Sequence, residues 1–135
     1  MRRMVALWMF LAVASCGGSD SSTTPEPESI TGMFSLITVN GGPLPVAIQN
    51  FQSTTSTLTV TKDVLTVMDG GKWTEAGTCT NQSGPSFDCL RAGTWIRLGS
   101  TFTFMTLDGK PVYEGTFTGN AYNLSAGAYA YVFSR

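Results

Sequence analysis

From Met33 to Arg135 the chain is interrupted by Gly, Pro, Asn or Asp about every eight to twelve residues. Between the breaks Thr, Val, Ile, Phe and Tyr dominate, residues that suit a pleated, half-buried surface. This punctuation leaves little room for a helix: no window of helical length repeats its apolar residues with a period near 3.6. It predicts short antiparallel strands in sequential hairpins, over Met33–Asn40, Ser56–Thr61, Val64–Met68, Lys72–Thr80, Phe87–Leu98, Thr101–Leu107, Val112–Thr118, Ala121–Ser125 and Ala128–Ser134. Asp63 is read as turning the chain between the second and third of these, and Asp69-Gly70-Gly71 as a tight turn. An up-and-down meander of this kind has two sheet edges to hide, and closing into a barrel hides both. The expected fold is therefore an all-β, antiparallel barrel of about eight strands. A β-sandwich is the alternative, and Pro43 to Thr55 is the one segment long enough for a crossover.

Residues 1–15 are of a different kind. Arg2 and Arg3 precede an uncharged apolar run from Val5 to Ala14. That run is too short to span a bilayer, which takes roughly 20 apolar residues, and it fits the core of a secretory signal peptide. It ends Val13-Ala14-Ser15-Cys16, which resembles the bacterial lipobox. The resemblance implies cleavage before Cys16, a diacylglycerol on its sulfur, and an N-terminal acyl chain such as palmitate. Gly17 rather than Asp follows Cys16, which favours the outer membrane over the inner. The expected address is the cell envelope, with membrane contact through the lipid anchor alone. Residues 16–30 then form the lipidated Cys and a flexible linker, since Gly17 to Ser29 carry no large apolar side chain. The domain is expected over 31–135.

Composition narrows what that domain does. The formal net charge is −1 and no basic cluster follows residue 3, whereas a nucleic-acid binder needs a basic face. The chain has no histidine, so Ser-His and Cys-His nucleophile pairs and most zinc sites are out of reach. No cofactor or metal site is expected, nor an enzyme. With Cys16 lipidated, Cys79 and Cys89 remain, and outside the cytoplasm such a pair reads as a disulfide across a hairpin. Closing a loop of this length contributes roughly 2–3 kcal/mol in chain-entropy models.

ITGMFSLITVNGGPLP, from Ile30, resembles the opening of small bacterial lipoproteins with a lipocalin-like domain, with Gly32, Phe34, Leu36, Val39, Asn40, Gly41, Pro43, Leu44 and Pro45 carrying the match. VLTVMDGGKWTEAGT, AGTWIRLGSTFTF and the closing YVFSR are similar to later hairpins of the same group. The resemblance implies a lipocalin-like barrel able to hold a small hydrophobic ligand, and it brings no catalytic residues.

The candidate ligand-lining side chains are Trp73, Trp95, Phe102, Phe104, Tyr113, Phe117, Tyr122, Tyr129 and Tyr131. The same rings would equally serve as packed core and plug the barrel. Glu75 shares a strand face with Trp73, and Arg97 with Trp95. If those faces point inward, Glu75 and Arg97 form a buried pair or grip a polar head; if outward, they are surface charges. Glu75 and Glu114 both lie within predicted strands, and nothing beyond their presence points to two-carboxylate glycoside chemistry. A monomer acting on a protein partner through the loops Gly41–Gln52 and Asn81–Ser86 is the alternative to ligand binding.

Overall fold

A computed structural model describes residues 28–49, 56–82 and 84–135. The expected signal peptide, Cys16 and the linker up to residue 27 lie outside the described residues.

The described chain is all-β, with no helix, and closes into an antiparallel barrel of eight strands with two short extra ones. The barrel strands are β1 (Gly32–Val39), β4 (Thr57–Met68), β5 (Lys72–Asn81), β6 (Ser86–Leu98), β7 (Thr101–Thr106), β8 (Pro111–Thr118), β9 (Ala121–Ala126) and β10 (Tyr129–Ser134). Each pairs with its neighbour in sequence, and β1 closes the ring by pairing with β10 on one side (Leu36 opposite Phe133) and β4 on the other (Phe34 opposite Leu65). The sandwich alternative therefore does not apply. The turns follow the punctuation. At Asp69-Gly70-Gly71 both glycines have φ near +75° to +78°, a backbone that only glycine takes without strain.

Two strand boundaries differ from expectation. Ser56–Thr61 and Val64–Met68 are one continuous strand, β4, and Asp63 does not turn the chain. The register against β5 slips between Val60 and Lys62. This bulge flips the alternation: Leu58 and Val60 face inward before it, Asp63, Leu65 and Val67 after it. In the Pro43–Thr55 segment, Gly42–Pro43 (β2) pairs with the end of β1 and Val46–Gln49 (β3) with the start of β4.

The seam between β1 and β4 is thus hydrogen-bonded directly at one end of the barrel only. At the other end β2 and β3 line the two strands instead, and the wall splays. On the opposite wall β6 outruns its neighbour: Ser86 to Ala92 pair with β5, while pairing to β7 begins at Gly93. The barrel has a closed end and an open end.

Rings fill the closed end. Tyr122 sits 4.8–5.5 Å, centroid to centroid, from Phe34, Phe102, Phe104 and Phe117, mostly edge to face as their quadrupoles prefer. Its hydroxyl donates to Ile30 O at 2.5 Å, and Arg135 lies over Phe34 while donating to Ser29 O. The chain therefore enters the domain at the closed end. Next to this layer, Trp73 Nε1 donates to Met105 O at 2.9 Å and Thr94 O at 3.1 Å. Gly93 makes that possible: a Cβ there would stand 1.8 Å from Met105 O and 2.8 Å from Trp73 Nε1.

Candidate functional site

A cavity of about 360 Å³ occupies the open end. That is within the range of small-ligand pockets, roughly 300–1,000 Å³. Its apolar wall is Leu36 from β1, Ile48 from β3, Leu58 and Val60 from β4, and the Cys79–Cys89 disulfide. Phe87 and Leu90 reach its mouth from β6 and are exposed, Leu90 by 70%. The disulfide spans 5.9 Å between Cα atoms. It runs diagonally: Cys79 lies opposite Phe87, and Cys89 opposite Gly77. Gly77 lets β4 approach closely beside the disulfide, since a Cβ there would meet Lys62 O at 2.7 Å and Asp63 Oδ1 at 2.9 Å.

The floor of the cavity, where it meets the ring-filled half, is polar. Glu75 on β5 and Arg91 on β6 are direct register partners. Arg91 Nη2 donates to Glu75 Oε1 at 2.7 Å, and the Tyr113 hydroxyl donates to the same oxygen at 2.9 Å. Arg91 also donates to the Tyr113 hydroxyl and sits over its ring. Glu75 Oε2 is 2.7 Å from Arg91 Nη2 but forms no hydrogen bond. Asp63 and Tyr131 complete the floor. Glu75, Asp63 and Tyr131 are only 3%, 8% and 2% exposed. Each nevertheless keeps one buried oxygen without a hydrogen-bond partner in the protein: Glu75 Oε2, Asp63 Oδ1 and the Tyr131 hydroxyl. Buried polar atoms are nearly always paired, and an orphan costs about 1–3 kcal/mol. Three of them on one cavity is a concentrated departure from that rule.

The electrostatics follow from burial. Desolvation, then Glu75 beside it, pushes the Asp63 carboxyl well above the usual carboxylate range. Burial pulls the Arg91 guanidinium down, but Tyr113, Glu75 and Asp63 around it outweigh that and hold it above its ordinary value. Burial raises Tyr113, with Glu75 adding to the effect, and likewise raises Tyr131. The floor is therefore an Arg91–Glu75 ion pair with the Asp63 carboxyl hydrogen-bonded to Glu75 and holding its proton more firmly than a free carboxyl does. Among the described residues, no three His, Cys, Asp or Glu side chains are grouped to hold a metal ion.

The structure redistributes the candidates. Of the nine rings, only Tyr113 and Tyr131 line the cavity. Trp73, Phe102, Phe104 and Tyr122 are packed core, with Trp95, Phe117 and Tyr129 half-buried against it. Tyr129 accepts a hydrogen bond from Gln49 N at 2.9 Å and so ties β3 to β10. Glu75 faces inward as considered, but its partner is Arg91 and not Arg97. Arg97 is exposed at the far end of β6, where it lies over the ring of its register partner Phe102 and donates to Gly99 O at 2.7 Å across its own turn. Glu114 is exposed on the outer face, remote from any pairing with Glu75. Of the two contact loops, Gly41–Gln52 contains β2 and β3, with residues 50–52 outside the described residues; Asn81 and Ser86 are strand ends, with residue 83 likewise outside. The residues not anticipated are Asp63, Arg91 and the aliphatic wall. No protein-family model, curated protein or solved structure matches this chain.

Proposed function

We propose that this chain is a lipid-anchored protein of the cell envelope, at the outer membrane, whose barrel binds a small amphiphilic molecule without chemical change to it. The carrying observation is the open-end cavity, apolar along its walls and floored by the buried polar side chains Asp63, Glu75 and Tyr131, whose hydrogen-bonding capacity the protein does not fully use. Binding pockets have this composition: mostly apolar lining with a few convergent polar groups that orient the ligand. The lipobox resemblance at Val13–Cys16 and the similarity to lipocalin-like lipoproteins support the same reading. A ligand supplies hydrogen bonds that the fold withholds, and its apolar body covers Leu36, Ile48, Leu58 and Val60.

Native mass spectrometry of the chain purified from the envelope of its own host tests this. The expected spectrum has acyl mass on Cys16 and a further small mass lost on denaturation. An unacylated chain would remove the anchor from the proposal. A bare domain would favour the second reading, a module that docks a protein partner. The exposed Phe87 and Leu90, beside the β6 stretch that pairs on one side only, are the observation on its side.

A further inference from the structure

We infer that the ligand's polar head is a primary ammonium group, whose three N–H donors engage Asp63 Oδ1, Glu75 Oε2 and the Tyr131 hydroxyl. The inference rests on the amphiphile-binding reading and names the ligand class. Asp63, Glu75 and Tyr131 stand on three different strands, β4, β5 and β10, around one cavity. Glu75 Oε2 already lies 2.7 Å from Arg91 Nη2, and the Asp63 carboxyl is hydrogen-bonded to Glu75. A carboxylate head would meet two carboxyl groups. An ammonium brings donors only, and one of them can take the place of the Asp63 proton beside Glu75.

Charge points the same way. The floor holds two carboxyl groups, Asp63 and Glu75, and one guanidinium, Arg91. Both carboxylates ionised against Arg91 alone would leave a buried negative charge, which is costly. A second cation balances the set. In its absence a proton on Asp63 does so, consistent with the upward shift of that carboxyl. The groups facing Asp63 across the cavity are Glu75, Arg91, Tyr113 and Tyr131, with Asp88 exposed nearer the mouth. Binding is then an exchange: the ammonium enters, the Asp63 proton leaves to buffer, and Asp63 carboxylate pairs with the head. No covalent bond changes.

The test is isothermal titration calorimetry of the full chain at pH 7 with n-hexylammonium, 1-hexanol and hexanoate, in two buffers of different ionisation enthalpy. Expected is binding of n-hexylammonium roughly tenfold or more tighter than 1-hexanol, with release of about one proton per head bound. Asp63→Asn, which keeps the size and the neutral state, should bring n-hexylammonium down toward the level of 1-hexanol and abolish proton release. Tyr131→Phe should weaken n-hexylammonium several-fold while proton release persists. Binding of 1-hexanol or hexanoate as tightly as n-hexylammonium, or ammonium binding with no proton released, would overturn the ammonium head and leave amphiphile binding standing. Binding of none of the three would overturn both.

Discussion

The two ends of the barrel handle buried polar atoms in opposite ways. At the closed end each is answered by a backbone carbonyl: Tyr122 by Ile30 O, Trp73 by Met105 O and Thr94 O, and Trp95 by Met68 O at 3.1 Å. At the open end polar side chains answer one another, Glu75 with Arg91 and Tyr113, and three oxygens are left over. Backbone carbonyls are fixed by the strands, so pairing with them locks a ring in one place. A side-chain cluster with surplus acceptors is held less tightly and has capacity for an incoming donor. The closed half supplies rigidity, and the open half carries the cost of unmet hydrogen bonds.

Removing a ring should separate the halves most. Tyr122→Ala deletes the residue around which four rings pack, and should cost about 3–5 kcal/mol in urea unfolding. Tyr131→Ala, whose side chain already borders a cavity, should cost roughly 2 kcal/mol. Equal losses would mean that the open half packs as tightly as the closed one. A pH series comes next in size. Asp63 binds its proton more firmly in the folded chain than in the unfolded one, because burial and then Glu75 raise its carboxyl. Its contribution is fully present below about pH 4, the ordinary carboxylate value, and is lost as pH climbs toward the raised one. The fall is at most about 1.4 kcal/mol per pH unit, and Asp63→Asn should flatten it. Identical slopes in variant and parent would show that Asp63 carries no proton there. The finest comparison is between two hydroxyls. Tyr122→Phe loses a hydrogen bond to Ile30 O and should cost about 1 kcal/mol. Tyr131→Phe removes an unpartnered atom and should be neutral, or stabilising by up to about 1 kcal/mol.

The closed half was the legible half. Alternation put Phe102 with Phe104 on one strand face, and the structure buries both in the closed half. The open half was obscured by the bulge after Val60. A strand whose inward phase changes midway reads as two strands with a turn, so Asp63 looked like a turn residue instead of a buried acid. Arg91 was missed for want of register. Phase alone puts Arg91 and Arg97 on the same face of β6, and only the rung count chooses between them. Cys79 and Cys89 were a usable ruler: counting back from that pair sets Glu75 nearer to Arg91 than to Arg97. The cavity itself was illegible, because it comes from β2 and β3 standing in a split seam, a property of closure and of no local segment.

The pinning of Ser29 and Ile30 at the closed end also sets a direction of approach. The chain enters the barrel at its base, so the mouth, at the opposite end, is left clear of the point of entry, like a bucket held from beneath. A molecule can reach the site without passing the place where the chain joins the domain.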